Sequence, residues 1–382
     1  MSDESFDLIE QAVRSGGAKA GLDLLARKLA DEQNYPLLFE ARMMQKRHEL
    51  GLPLVQVGSV DEIPEAKRAA YEAAFTESAR EIGSLLLAGG EILRAWPYFR
   101  AIREPAAVVE AIERVEAGQQ EELDGIIQLA LEERVHPRKG FELLLAHYGL
   151  CRAITFFEQY PDPKTREDCL LLVVRTLHRE LVENLHRAIA RREGQAPDTN
   201  HVPSLIAGRE WLFGDMDYYV DTSHLIAVIR FALDLHDADG LRMALEMCDY
   251  GAHLSAQFKY RVEPPFEDVY VDHAMYLKSL LGDDVDATVA HFRKKIVESD
   301  PAVAGTAPAQ VLVALLVRLE RYREAIEISL EHLSDVAAEQ LACPGVLQLC
   351  QMAGDYELLR KIARERGDLL GFTAGLIPGK GD

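Results

Sequence analysis

The sequence predicts an all-α chain whose successive helices pair as antiparallel neighbours. Three observations carry this. Apolar residues recur at helical spacing from end to end. No run of four or more residues alternates apolar and polar with β-branched enrichment. Most connectors are short and hold turn residues.

In chain order, helices are expected at 4–14 and 18–32, parted by Ser15-Gly16-Gly17, and at 35–50. The next expected helices are 65–88, stopped by Gly89-Gly90, then 91–101, 105–116 before Gly118, and 119–133. His136-Pro137 opens 137–147, and 150–159 closes at Tyr160-Pro161-Asp162-Pro163. The helix 166–193 carries an apolar stripe of Leu171, Val174, Leu177, Leu181, Leu185 and Ile189. Shorter helices follow at 203–212, 222–236, 239–249, 267–281, 284–298, 308–319, 322–333, 344–352 and 355–366. Three connectors break the rhythm: 51–64, 194–221 and 250–266, the last containing Pro264-Pro265. Long irregular connections inside a helical chain are more often functional than accidental. The organisation read from these breaks is an N-terminal helical region 1–160, a central region 161–282 with long loops and a polar pocket, and a C-terminal region 283–382.

At 382 residues the chain exceeds the usual size of one compact core, so two domains or one elongated stack is expected. Lysine and arginine total 42 against 63 aspartate and glutamate, a formal charge of −21. That field repels a phosphate backbone and anionic lipid, so neither nucleic acid nor a membrane surface is an expected partner. The acidic start, Met1 to Asp7, lacks the basic and apolar parts of a secretory signal. The strongest apolar run, Val311 to Val317, is too short to cross a bilayer, and the expected location is the cytoplasm. Cys151, Cys169, Cys248, Cys343 and Cys350 have no Cys-x-x-Cys spacing and read as buried reduced thiols.

Near the C-terminus a repeat becomes legible. Arg318-Leu-Glu-Arg-Tyr-Arg-Glu-Ala-Ile-Glu327 is echoed by Ala353-Gly-Asp-Tyr-Glu-Leu-Leu-Arg-Lys361, with Tyr322 and Tyr356 34 residues apart. Over about 300–370 this resembles the tetratricopeptide repeat, with Ala325 at the small-residue position where paired helices touch. Glu320 stands where that family prefers glycine, and Leu359 replaces the alanine in the second unit. The resemblance implies an α-solenoid or superhelix with a concave face that binds a protein or peptide partner.

No phosphate-binding Gly-x-x-x-x-Gly-Lys-Ser/Thr loop, dinucleotide Gly-x-Gly-x-x-Gly, Gly-x-Ser-x-Gly elbow or His-Glu-x-x-His pair occurs. The run Asp215 to Asp221 fails as a calcium loop, because Val220 stands where the turn needs glycine. Histidines are more suggestive. His178 lies within the stripe of 166–193, and Glu183 and His186 are three apart on its flank. Asp221 and His224 open the next long helix, and His273 shares a face with Val269, Tyr276 and Leu277, beside Asp272. Two of these helices follow the long connectors, which add His201, Arg209, Trp211, Tyr218, Tyr219 and Tyr260.

One function reading is therefore a helical-repeat protein that binds a partner. The other is a metal-dependent enzyme acting on a small-molecule substrate. In it, His178, Asp221, His224, Asp272 and His273 supply ligands to zinc, iron or manganese, with Tyr218 or Glu183 as acid or base. Against the second stands the ordinary behaviour of each residue. A histidine on an apolar face usually bonds a carbonyl or carboxylate, Asp221 suits a helix N-cap, and Glu183 suits a solvated surface. The metal reading requires that three or more of the five converge; it also expects connectors 194–221 and 250–266 to meet over a cavity lined by His224 and His273.

Overall fold

The computed structural model describes residues 3–55, 63–118, 122–160, 162–259 and 263–377; Tyr260 and the start of the helix expected from 119 lie outside them. The described chain is all-α, with no strand. It divides into two compact units, Met1–Gly149 and Leu150–Asp382.

The first unit holds α1 (Asp3–Asp31), α2 (Tyr35–Glu49), α3 (Glu65–Ala88), α4 (Ile92–Ala101), α5 (Ala106–Glu113), α6 (Leu123–Leu131) and the start of α7 (Pro137–Glu158). The two helices expected either side of residues 15–17 form one element, α1, that breaks at Gly17 (φ 80°, ψ −179°). The same break recurs in α7 at Gly149 (φ 77°, ψ −179°), the unit boundary.

The second unit continues with α8 (Pro163–Glu193), α9 (Val202–Ile206), α10 (Thr222–Ala232), α11 (Ala238–His253), α12 (Val269–Leu280) and α13 (Val285–Glu298). It ends with α14 (Pro301–Ala304), α15 (Ala307–Arg318), α16 (Tyr322–His332), α17 (Val346–Met352), α18 (Tyr356–Glu365) and α19 (Leu369–Leu376). The sequence pattern missed α14 and α19. α19 lacks an apolar stripe facing inward; Leu369 and Leu370 are exposed, and only Gly375 is buried.

Helix joints in both units reuse one hydrogen-bond scheme. After the last turn a residue in the left-handed region donates to the carbonyl three back, and the next residue donates to the carbonyl five back. Gly354 donates to Gln351 O and Asp355 to Cys350 O; Glu320 donates to Val317 O and Arg321 to Leu316 O. Gln33-Asn34, Gly90-Glu91, Arg103-Glu104 and Gly367-Asp368 do the same. Glu320 lies in the left-handed region at φ 58°, a strain of about 1 kcal/mol for a residue with a Cβ. Tyr322 and Tyr356 each begin the helix after such a joint, and Ala325 is fully buried. One core runs from α12 through α18, built around Phe292, Leu312, Leu316, Ile326, Leu349 and Ile362.

No disulfide joins the five cysteines; Cys169, Cys248 and Cys350 are buried as expected, but Cys151 is exposed. Among the described residues no helix is long and apolar enough to cross a membrane.

Candidate functional site

One candidate is a cleft of about 560 Å3 in the second unit, walled by α11 and α12 and closed at one side by the start of α9. Two local signals set its walls. Asp237 caps α11, accepting from Gly240 N–H at 2.8 Å, and Asp268 caps α12, accepting from Val271 N–H at 3.3 Å. α11 buries Leu241, Ala244, Met247, Cys248 and Gly251, which leaves Arg242, Leu245, Glu246, Asp249 and Ala252 along its cleft flank. α12 buries Val269, His273, Tyr276 and Leu277 and turns Val271, Ala274, Met275 and Lys278 toward the cleft. The two helices run in opposite directions, since Gly251 near the end of α11 lies against the ring of Tyr270 at the start of α12.

Glu246 is the best-held polar group of the cleft. Its Oε2 accepts from His178 Nε2 and from Val202 N–H, both at 2.9 Å, and so ties α8 and the first turn of α9 to α11. Burial alone would raise its carboxyl; the His178 and Val202 bonds outweigh that and hold it below the usual range. His201, on the cleft rim, bonds Ser204 Oγ through Nδ1 at 2.8 Å across the first turn of α9.

A second polar cluster sits behind α12. Asp272, 1% exposed, accepts from His291 Nε2 at 2.7 Å, from Lys295 Nζ at 3.1 Å and from Asp268 N–H at 3.0 Å. Lys295 also bonds Glu267. Burial would lower the ammonium pKa, but the two carboxylates raise it.

The five residues expected to converge are distributed among separate partners. His178 pairs with Glu246. Asp221 caps α10, accepting from Ser223 N–H and His224 N–H at 2.9 and 3.2 Å, with His224 half-buried one turn into that helix. Asp272 holds His291 and Lys295, and His273 Nδ1 donates to Val269 O at 2.6 Å within its own helix. Among the described residues no three histidine, cysteine, aspartate or glutamate side chains are placed to hold a metal ion. The physical reason is that His178, Asp221, Asp272 and the Nδ1 of His273 each bond a partner on a neighbouring turn or helix in place of a shared centre. Glu183 is exposed and His186 donates instead to Thr199 O at 2.7 Å; Tyr218 is 54% exposed and packs edge-on to Phe258. None of these lines the cleft.

The long connectors do meet. Ser255 Oγ donates to Asp215 O at 3.1 Å, Phe213 stacks on His253, and Tyr219 N–H donates to Tyr250 OH at 2.8 Å. Trp211 packs beneath Arg192, and Arg209 pairs with Glu193, so these aromatics anchor the connector. The cavity is not the one expected, however: its lining includes His201 and Glu246, while His224 and His273 are absent from it.

His273 gives a test of the burial. Its ring stacks on Phe266 with centroids 4.1 Å apart, and Nε2 has no hydrogen-bond partner among the described residues. Burial pushes its pKa down to about 4, with the Val269 carbonyl and Asp272 opposing and Arg230 adding to the fall. The unfolded chain, near 6.5, therefore binds the proton first as pH falls. The neutral ring contributes stability in full above pH 6.5, and that contribution is lost toward pH 4, by about 3 kcal/mol. Urea melts of wild type and His273→Leu from pH 7 to 4.5 check this: the difference in stability between them should narrow or invert as pH falls, and a constant difference refutes it.

Compared with known proteins, the chain matches no family model, no curated protein and no solved structure.

Proposed function

We propose that the chain is a helical-repeat binding protein, its second unit holding a peptide or a segment of a partner protein in the cleft between α9, α11 and α12. The observation that carries this is the cleft itself: about 560 Å3, with Leu245, Val271, Ala274 and Met275 along its walls and charged groups at its margins. Volumes of about 300–1,000 Å3 with apolar walls and few placed polar groups are typical of binding sites. The recurring joint between helices, and the stretch 300–370 with its paired turns, favour a stacked scaffold of the tetratricopeptide kind, whose faces serve as binding surfaces. The chain's charge of −21 favours a protein or peptide over nucleic acid. No ligand convergence favours the metal-enzyme reading among the described residues.

The test uses the full chain to select from a soluble library of random peptides of about three to ten residues with free ends, followed by affinity measurement on wild type and Ala274→Trp. Ala274 is a half-buried cleft wall, so tryptophan fills the space while the core side of α12 is untouched. Enriched peptides should carry an apolar anchor and bind the variant at least tenfold more weakly, about 1.4 kcal/mol. Circular dichroism and a melt confirm that the variant is folded. No enrichment, or equal binding by both proteins, overturns the proposal.

A further inference from the structure

The charges of this cleft are sorted by end. Because α11 and α12 run in opposite directions, Arg242 near the start of α11 and Lys278 near the end of α12 occupy the same end of the cleft. Asp249 lies seven residues beyond Arg242 on the same helix flank, about 10 Å along the axis. Leu245, Val271, Ala274 and Met275 fill the space between.

These charges differ in availability. Glu246 is engaged by His178 and Val202. Among the described residues Arg242 ion-pairs only with Asp239, at 2.8 Å, with both side chains more than 60% exposed, a pairing that water and salt loosen. Lys278 is exposed and makes no ion pair among the described residues, and the Asp249 carboxylate makes none either. On a chain of net charge −21, two cations grouped at one end of an apolar cleft form a local site for an anion, with an unneutralised carboxylate at the far end.

We infer that the cleft takes a short free peptide by both of its ends. The peptide's terminal carboxylate sits on Arg242 and Lys278, its α-ammonium sits by Asp249, and an apolar side chain lies against Leu245, Ala274 and Met275. Three extended residues span about 10 Å, the distance between the two charged ends. An internal segment of a longer chain carries no such pair of terminal charges, so end recognition selects for length. Arginine's planar fork suits a carboxylate in two-point contact, and lysine adds a flexible second donor. This inference rests on the peptide-binding reading of the same cleft.

The experiment is calorimetric titration of the full chain with Ala-Leu-Ala and Ala-Phe-Ala, each also prepared as the N-acetyl form and as the C-terminal amide. The free tripeptides should bind, each end-blocked form should bind at least tenfold more weakly, and Ala-Asp-Ala should bind weakly or not at all. Lys278→Glu should weaken the free tripeptides at least tenfold while leaving the C-terminal amides unchanged or improved. Asp249→Asn should reduce the penalty for N-acetylation. These rim positions leave the buried faces of both helices untouched, and a melt verifies folding. If no free tripeptide binds, or the blocked forms bind as well as the free ones, end recognition is wrong. If library peptides then still bind in a manner abolished by Ala274→Trp, the cleft reading survives. If they do not, both fall together.

Discussion

Gly251→Ala should destabilise the second unit by about 2–3 kcal/mol, the reverse of what the same change does in an ordinary helix. At an exposed helix interior, alanine is favoured over glycine by about 1 kcal/mol. At Gly251 an added Cβ would sit 2.1 Å from Tyr270 Cε1, 2.3 Å from Cδ1 and 2.6 Å from Cζ, along one whole edge of the ring. Tyr270 is 1% exposed, so its ring is packed among neighbours that resist a shift. The methyl must therefore push α11 and α12 apart, an overpacking penalty of about 1–3 kcal/mol or more that exceeds the propensity gain. Gly251→Val adds a second branch to the same clash and should cost more. Urea melts read the result as a lower midpoint at unchanged slope. Since the contact fixes the spacing of the cleft walls, Gly251→Ala should also weaken any cleft ligand. A variant as stable as wild type, or more so, would show that the two helices do not approach this closely.

Asp272→Ala is expected to cost about 3 kcal/mol. The carboxylate, 1% exposed, satisfies His291, Lys295 and the Asp268 amide at once, and its loss leaves three donors facing a hole. Breaking a buried ion pair from one side costs about 3–5 kcal/mol because the remaining charge is uncompensated. Lys295 keeps Glu267, which places the effect at the lower end. Asp272→Asn retains shape and one acceptor and should fall between. Replacing both partners, Asp272→Leu with Lys295→Met, should recover much of the loss, because no charge is then stranded. The four melts form a cycle. With Lys295→Met alone as the fourth corner, a double variant whose cost equals the sum of the Asp272→Leu and Lys295→Met costs would mean that the pair does not interact, and a cost below about 0.5 kcal/mol for Asp272→Ala would place it among ordinary surface changes.

How far the sequence went is visible in these residues. Helix positions followed from apolar spacing, and the Asp221 cap followed from residue type at a helix start, since it acts within one turn of itself. The joint at Gly354-Asp355 is equally local, a backbone conformation and two hydrogen bonds within six residues. Connector length and aromatic content marked 194–221 and 250–266 as a pair that meets. What lay beyond the sequence is every match across helices. His178 and His273 read alike, as imidazoles within apolar stripes. One reaches Glu246, 68 residues on, and the other turns back to the carbonyl of Val269. Glu246, His291 and Lys295 gave no signal, because a charge on a helix flank looks the same whether it faces water or a neighbouring helix. Each residue advances a helix by about 100°, so a small rotation of α12 against α13 decides whether Asp272 meets His291 and Lys295 or solvent. That rotation is set by side-chain interlocking across the whole core. The sequence by itself determined the helices and their joints; tertiary packing decided which polar groups share a partner, and which charges share one end of the cleft.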